Sequence, residues 1–255
     1  MSDTTLSTPR ASRETAAAKA VGVREERPHL SFVVPCYNEQ RNLAGTVAEI
    51  EASARHAGLA RFEIVMVDDG SNDGTADGIR RLAAAKPYVR PVLNQRNLGL
   101  GGAYKAGVAA AQGIHVMMVP GDNAHPAHGI APIIAAVDSA DMVIPYVTNP
   151  QVRGLSRRLA SRGFVLVMNL LFALKVPYYN GLVVHRLDLL REIEIETDSF
   201  AYQAEAIVKL LRRGADFKTV GVEISTREHG GTKAFRAANV VNVVRALMDL
   251  KRRVG

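Results

Sequence analysis

The sequence is poor in cysteine and in aromatic residues, and it has no tryptophan. Cys36 is the one cysteine among 255 residues, and aromatic side chains make up 5% of the chain. A single cysteine excludes a framework of internal disulfide bonds and fits a reducing compartment. Because Cys36 ends an apolar run, we expect a packed thiol rather than a nucleophile.

The sequence also lacks a hydrophobic run long enough to cross a membrane. A spanning helix needs about 18–20 apolar residues, and the nearest stretch, 163–176, is interrupted by Asn169 and Lys175. A basic segment, 153–162, precedes this stretch. The pattern therefore fits either a core helix or a helix that lies in a membrane interface.

The first 28 residues contain no apolar core of the kind found in signal peptides. Their polar, mixed-charge composition predicts a disordered tail over 1–28. The remaining residues, 29–255, are expected to form a single domain, because a chain with 47% hydrophobic residues can bury a sizeable core. These features predict a cytoplasmic protein, either free or peripheral on the inner face of the membrane.

The chain carries a formal net charge of +7 at pH 7. We therefore expect acidic partners, such as nucleotide phosphates or anionic lipid head groups. Nucleic acid is not expected, because the basic residues are scattered over several predicted helices and no nucleic-acid-binding signature is present. The composition leaves both a monomer and a homo-oligomer open.

Short apolar runs alternate with helical segments over the first 150 residues. The runs predict strands at 30–35, 62–68, 89–94, 114–119 and 141–145, and the segments between them predict helices at 40–57, 73–85 and 102–112. Each run is nearly all apolar, as expected of strands that are covered on both faces. The alternation predicts an α/β fold with a mainly parallel central sheet flanked by helices. Farther along the chain, helices are predicted at 153–175, 201–213 and 235–252, and a strand at 217–224.

Polar residues and glycines follow four of the predicted strands. The segments are VVPCYNEQRN, VDDGSNDGT, NQRNLGLGGAYKAG and the Asp122 turn. Each alone would serve as an ordinary turn or helix cap. Ligands of parallel sheets bind at the carboxyl ends of the strands, where all four segments are expected to meet. Carboxylates for a base and ribose, with glycine amides for a diphosphate, favour a nucleotide site.

Three of these segments, in this order and spacing, resemble the family-2 glycosyltransferases. The segments are VVPCYNEQRNL, VMVDDGSNDGT and NLGLGGAYKAG, and the resemblance covers residues 29–235. It is strongest to the branch that transfers a sugar to a polyprenyl (dolichyl-type) phosphate. The resemblance implies a GT-A fold, a UDP- or GDP-sugar donor and inversion at the anomeric carbon.

The resemblance also assigns residues to the donor and the phosphates. The donor pocket is expected to hold its base and ribose with Pro35, Tyr37, Glu39 and Asp69, and Asp68 is a weaker candidate for the same pocket. The segment STREHGGTK nominates Arg227, Thr232 and Lys233 for phosphate contact, and Arg158 and Ser161 fall in an Arg-and-Ser stretch of the family. Such cations offset the negative charge that a diphosphate and a phosphate acceptor bring together.

The Asp122 turn departs from the family pattern. The family usually has Asp-x-Asp here, and the polyprenyl branch often continues x-Gln-His-Pro, whereas this chain has Pro120 and Ala124 at two of the ligand positions. Asp122 matches the aspartate that binds the metal, so we expect it to hold Mg²⁺ or Mn²⁺ more weakly than usual. Asn123 could add an oxygen ligand. His125 or His128 could ligate Mn²⁺, although a histidine at such a place is more often structural.

The acceptor decides whether a catalytic base is needed. A lipid phosphate is already anionic near neutral pH, so placement and charge stabilisation would suffice. A sugar hydroxyl would require a base, and Asp198 or Glu205 would be the candidates. Glu205 matches an acidic residue of the family near the acceptor, whereas Pro177 replaces an aspartate that the family often has.

Three rival functions remain at this stage. A dinucleotide-dependent oxidoreductase is disfavoured, because the glycine-rich segment lacks the third small residue of the fingerprint and follows the third strand. An altered, non-catalytic sugar-nucleotide-binding protein is compatible with the missing aspartates. A transferase with a soluble or glycan acceptor is compatible with the lack of a membrane span.

Overall fold

The computed structural model describes residues 27–224 and 247–253. Seven strands in this part of the chain form one sheet in the order β3-β2-β1-β4-β6-β5-β7. They are β1 Leu30–Cys36, β2 Phe62–Asp68, β3 Val89–Leu93, β4 His115–Met118, β5 Met142–Val147, β6 Val184–Arg186 and β7 Phe217–Val222. Six of the seven were predicted, with bounds that differ by three residues or fewer.

The helices connect these strands. They are α1 Leu43–His56, α2 Thr75–Ala85, α3 Gly99–Ala110, α4 Ala127–Ala135, α5 Leu155–Phe172, α6 Leu187–Arg191 and α7 Tyr202–Arg212. Helix α3 begins three residues earlier than predicted. Of the predicted helix at 235–252, residues 247–252 are helical and the rest lies outside the described residues. None of the described helices combines the length and the apolar character that a membrane crossing requires.

The sheet is mostly parallel, as the alternating pattern predicted. β1 pairs in parallel with β2 and β4, β2 with β3, and β5 with β7. The exception is β6, which lies antiparallel between β4 and β5. Strand β6 comes from the VVHR segment, whose three-residue length gives almost no periodic signal, and it was not predicted.

Buried side chains cover both faces of the central strands. All seven residues of β1 are buried. Val33 belongs to one hydrophobic cluster with α3 and α7, whereas Phe32 and Val34 belong to a second cluster with α1 and α4. Successive side chains of a strand point to opposite faces, so both clusters hold the same strand. Burial of each such side chain contributes about 1.5–3 kcal/mol.

The strand register brings the expected functional loops to one edge. Cys36 at the end of β1 lies opposite Asp68 at the end of β2. On its other side, β1 pairs with β4, where Val33 lies opposite Met118. The loops that follow β1, β2 and β4 therefore leave the sheet side by side, at the carboxyl edge where ligands of parallel sheets bind.

Candidate functional site

Asp69, directly after β2, is buried at 3% exposure and accepts three hydrogen bonds. The donors are Asn94 Nδ2 at 2.9 Å, the Leu98 amide at 2.9 Å and the Gly99 amide at 3.0 Å. A carboxylate next to the first amides of a helix is favourable because it offsets their partial positive charge. The side chain of Asp69 therefore fixes the loop before α3 and the start of that helix.

The backbone of residues 197–198 packs closely against the glycines of the NLGLGG segment. The Gly101 amide donates to the Asp198 carbonyl oxygen at 3.0 Å. A Cβ at Gly101 would lie 2.7 Å from the Thr197 carbonyl oxygen, and one at Gly102 would lie 2.6 Å from Leu98 Cβ. We expected these glycines to present amides to a diphosphate. In the structure the amides of Gly99 and Gly101 bind Asp69 and Asp198 instead.

The loop after β1 is joined to the loop after β2 by hydrogen bonds. The Asn38 amide donates to Ser71 Oγ at 2.9 Å, and the Asn72 amide donates to Asn38 Oδ1 at 3.0 Å. Asn38 takes a left-handed conformation with φ 57°, which asparagine tolerates better than most residues. This turn leaves the Tyr37 ring 41% exposed at the sheet edge. An exposed ring at this position can stack on a flat base.

Glu39 and Asp68 complete this part of the edge. The Glu39 amide donates to Thr75 Oγ1 at 2.9 Å, and its carboxylate accepts from Asn42 Nδ2 at 2.6 Å. Asp68, 4% exposed, accepts from the Ser71 amide at 3.3 Å. The loops after β1 and β2 thus carry three carboxylates, of which Asp69 accepts the most hydrogen bonds from the protein.

Asp122 is held beside the end of β1. The Gly121 amide donates to the carbonyl oxygen of buried Pro35 at 3.1 Å, and Thr46 Oγ1 donates to the Gly121 carbonyl oxygen at 3.1 Å. Asp122 Oδ1 accepts from the Ala124 amide at 3.2 Å. Asp122 is half-buried among the loops that follow β1, β2 and β4, which we call the donor loops. Such a carboxylate fits a Mg²⁺ or Mn²⁺ ion, which commonly takes one or two carboxylates and completes its shell with phosphate oxygens and water.

The neighbours of Asp122 contribute less than the sequence suggested. The Asn123 side chain packs against α1, because a Cβ at Gly45 would lie 2.5 Å from Asn123 Nδ2. Within the described residues, the set of three His, Cys, Asp or Glu ligand atoms that lies close enough for a metal contains neither His125 nor His128. That set does not contain Asp122 either; Asp122 stays the candidate for the metal on the family pattern and on its place beside the end of β1.

Cys36 packs beneath the Asp122 turn. It is buried, and burial raises the pKa of its thiol far above its ordinary value. A Cβ at Gly121 would lie 2.5 Å from Cys36 Sγ. The expectation of a packed thiol is confirmed.

Glu205, near the start of α7, is 6% exposed and has partners on both carboxylate oxygens. Oε1 accepts from the Glu196 amide at 3.0 Å and pairs with Lys209 at 2.7 Å, while Oε2 accepts from the Thr197 amide at 3.1 Å. Asp198, the other base candidate, pairs with Lys105 at 2.6 Å. Glu205 thus holds the loop that lies against the start of α3.

The remaining candidates lie on α5 or outside the described residues. Arg158 is half-buried, and within the described residues its buried Nε has no hydrogen-bond partner. Ser161 lies on the same helix. Arg227, Thr232 and Lys233 lie outside the described residues.

Sequence reasoning placed Asn38 and Ser71 at the strand ends but did not assign them, or Asn94 and Thr75, the role of joining the loops. Asn94, Ser71, Thr75 and Asn38 donate or accept the bonds described above. Asn94 carried a usable signal, since it is the polar last residue of the strand predicted at 89–94. The other three could not be told from ordinary turn residues.

The comparisons with known proteins agree with this geometry. Residues 31–190 match the family described as glycosyl transferase family 2. The undecaprenyl-phosphate mannosyltransferase of Micrococcus luteus is 28% identical over 227 residues, covering 84% of this chain and 91% of that protein. The undecaprenyl-phosphate 4-deoxy-4-formamido-L-arabinose transferase of Pseudomonas savastanoi is 33% identical over 135 residues, covering 52% of this chain. The chain spans only 40% of the length of that second relative.

Solved structures give the fold. Glucosyl-3-phosphoglycerate synthase from Mycobacterium tuberculosis in complex with UDP has a TM-score of 0.65 at 18% identity, covering 98% of this chain and 87% of that one. The same enzyme with Mn²⁺, UDP-glucose and phosphoglyceric acid has a TM-score of 0.66 at 17% identity, with the same coverage. The fold is GT-A, and the chain is a glycosyltransferase that belongs to glycosyl transferase family 2.

Proposed function

We propose that this enzyme transfers a sugar from a nucleotide-diphosphate-sugar to a polyprenyl phosphate at a membrane surface, with inversion at the anomeric carbon. The relatives named for undecaprenyl phosphate support the acceptor class, and one of them matches along nearly its whole length. The UDP complexes of the structural neighbours support a UDP-sugar donor. A GDP-sugar remains the alternative donor.

The observation that carries the proposal is an exposed leucine stripe on α5. Its members are Leu155, Leu159, Leu166 and Leu170, which are 66%, 58%, 59% and 74% exposed. At 100° per residue these four positions fall within a sector of about 60° on the helix surface. Isolated exposed leucines are ordinary, whereas four on one side of a single helix mark an interaction surface.

Basic residues lie next to the leucine stripe. Arg162 is exposed and lies one helical turn before Leu166. Arg158 lies one turn before Arg162, on the same side of the leucine stripe. Helices that lie in a membrane interface combine an apolar face with Lys or Arg at its border, where they meet anionic head groups. We therefore assign the leucine stripe to the membrane.

Arg158 is the described cation best suited to the acceptor phosphate. Its buried Nε–H has no partner within the described residues, and an unpaired buried donor is costly. A phosphate oxygen would accept this bond and neutralise the guanidinium. Arg227, Thr232 and Lys233 are proposed as further phosphate contacts on the family pattern.

On the donor side, the exposed Tyr37 ring is proposed to stack on the base. Glu39 and Asp68 are the candidates for the ribose and base edges, with Pro35 lining the pocket, and Asp69 is proposed to shape the pocket through α3. Asp122 would hold Mg²⁺ or Mn²⁺, which supplies charge neutralisation of the diphosphate when bound.

The hydrogen bonds that Glu205 accepts from the protein favour a phosphate acceptor over a hydroxyl acceptor. Both oxygens of Glu205 already accept protein hydrogen bonds, so this carboxylate is poorly placed to deprotonate a hydroxyl. An anionic phosphate needs no such base, and catalysis then depends on in-line placement and on stabilisation of the leaving diphosphate.

A second candidate is transfer to a soluble anionic acceptor. The structural neighbours were solved with phosphoglyceric acid, which also presents a phosphate. The leucine stripe favours the lipid, because a soluble acceptor gives it no role.

The test compares vesicle binding and sugar transfer in a stripe variant. Leu166→Ser with Leu170→Ser removes two side chains that are 59% and 74% exposed. The expected loss is about 2–3 kcal/mol of membrane transfer energy, or roughly 30- to 150-fold in partition to anionic vesicles. Leu93→Ser, at an exposed leucine of edge strand β3, is the control and should leave partition unchanged.

Transfer is measured with labelled UDP- and GDP-sugars and undecaprenyl phosphate in the same vesicles. Unchanged partition of the stripe variant, with turnover on 3-phosphoglycerate, would favour the soluble acceptor. A fall in oligomer mass without a change in partition would make the stripe an interface between copies. No transfer to any acceptor by the wild type would overturn the proposal.

A further inference from the structure

Two histidines and an aspartate meet at the amino edge of the sheet. His29 precedes β1, His115 begins β4, and Asp138 lies in a short 3₁₀ turn after α4. One ligand atom from each residue lies within 4.8 Å of the others. The donor loops leave the opposite edge, about 20 Å away along the seven residues of β1.

We propose that these three residues form a second metal site, which takes a Zn²⁺-type ion and is separate from the donor metal. Two imidazole nitrogens and one carboxylate oxygen are a common zinc ligand set, with water in the fourth position. Imidazole also favours zinc over Mg²⁺ and Ca²⁺, which prefer oxygen ligands. The site binds the ion without taking part in sugar transfer.

The cluster is compact enough for its three ligand atoms to close around a tetrahedral ion. His29 Nε2 lies 3.0 Å from Asp138 Oδ1, whereas two ligands of tetrahedral zinc are separated by about 3.4 Å. The two imidazole ring centroids are 5.5 Å apart, and rings bound to one tetrahedral ion have centroids about 5 Å apart. The three ligand atoms lie within 4.8 Å of one another, so the wider pairs must close toward about 3.4 Å around an ion. The Asp138 side chain is 69% exposed and is free to move with that closure.

His115 supplies the independent observation. It is 5% exposed, and its buried Nδ1 has no hydrogen-bond partner among residues 27–224 and 247–253. A buried polar atom without a partner is unusual in a native protein and calls for a ligand or water.

An ion pair between His29 and Asp138 does not account for the cluster. That pair places two of the three groups at hydrogen-bond distance and leaves the third, His115, outside it, with a buried Nδ1 that has no partner in the described part of the chain. The His115 amide donates to the His29 carbonyl oxygen at 3.0 Å, so two of the three segments are already joined. An ion would connect the segment of Asp138 to both of them. Binding to the folded chain alone would raise the Tm.

The test uses the full-length chain without a histidine tag, stripped of metal and titrated with Co²⁺. Tetrahedral Co²⁺ gives strong visible d–d absorption, and Zn²⁺ added afterwards should displace it. Zn²⁺ at 100 times its Kd should raise the Tm by roughly 5–10 °C. Asp138→Asn and His29→Gln should each weaken Co²⁺ binding at least tenfold.

Matched variants separate this site from the donor site and from general charge effects. Asp77→Asn removes an aspartate whose side chain is also 69% exposed and pairs with Arg80 at 2.7 Å; it should leave Co²⁺ binding unchanged. Asp122→Asn should also leave the absorption unchanged. Absence of the tetrahedral spectrum in the wild type, or equal affinity in wild type and Asp138→Asn, would overturn the proposal.

Discussion

Glu205 offers the sharpest test of whether a buried acid acts on the substrate or holds a loop of the protein in position. Glu205→Gln keeps the size of the side chain but replaces one acceptor oxygen with an amide donor. Each oxygen now accepts a backbone amide, from Glu196 at 3.0 Å and from Thr197 at 3.1 Å. The variant must therefore face one of these N–H groups with another donor.

The size of the effect follows from these contacts. Loss of one hydrogen bond to a charged acceptor costs about 1.5–3 kcal/mol, and the unpaired amide adds a desolvation cost. Lys209 keeps Glu196 as a partner at 2.8 Å, so the loss of its bond to Glu205 adds little. We expect a total destabilisation of about 3 kcal/mol, or a fall in Tm of roughly 6–12 °C for a domain of this size.

The assay combines thermal unfolding with steady-state transfer well below the Tm. If Glu205 positions the 196–198 loop and no base is required, the folded variant should retain kcat within a few-fold. Glu192→Gln is the control, because Glu192 is 64% exposed and lies 3.9 Å from its partner Arg213; its Tm should not change. An unchanged Tm in Glu205→Gln together with a thousandfold lower kcat would refute this reasoning and make Glu205 a catalytic base.

Three further predictions concern other residues. Asp122→Ala should lower sugar transfer by orders of magnitude while leaving the Tm within a few degrees, and near-normal turnover with Mg²⁺ would reject its metal role. Burial lowers the pKa of His185 to about 3, below the unfolded value of about 6.5; its stabilising contribution is therefore present above pH 6.5 and is lost by about 1.4 kcal/mol per unit as pH falls. The free energy of unfolding, measured with denaturant between pH 6.5 and 4.5, should fall less steeply with decreasing pH in His185→Gln than in the wild type. Equal dependence on pH in the two proteins would contradict the assignment. Gly101→Ala places a Cβ 2.7 Å from the Thr197 carbonyl oxygen and should cost about 1–3 kcal/mol; Gly163→Ala, whose Cβ meets nothing within 4 Å on α5, should instead stabilise by about 0.5–1 kcal/mol, and equal Tm changes would contradict the packing argument.

The sequence was sufficient for the α/β class and for the edge that carries the donor loops. Nearly continuous apolar runs such as β1 and β2 require cover on both faces, so their pattern is visible without coordinates. The rule that parallel strands present their carboxyl ends together then placed Tyr37, Asp69 and Asp122 at one edge. Strand β6 was beyond reach, because three residues carry no period and its direction depends on its neighbours β4 and β5.

The role of each polar residue was harder to predict than its place. Asp69 and Glu205 looked like ligand-binding or catalytic acids, and the structure gives both of these buried carboxylates hydrogen-bond partners within the protein. The amides concerned lie 8 to 30 residues away in sequence, and no local pattern identifies them. Arg227 and Lys233 lie outside the described residues, so their contact with phosphate stays a prediction.

By itself, the sequence determined the succession of strands β1 to β5 along the chain, because apolar runs are local properties. Its motifs carried the resemblance to the family, and that resemblance nominated the candidate donor residues. Only the tertiary structure decided which face of α5 is exposed, since an apolar helix with basic neighbours can pack either against a core or against a membrane. It also brought His29, His115 and Asp138 together from three distant segments. Contacts of this kind depend on how the strands pair and the helices pack, which a linear pattern does not record.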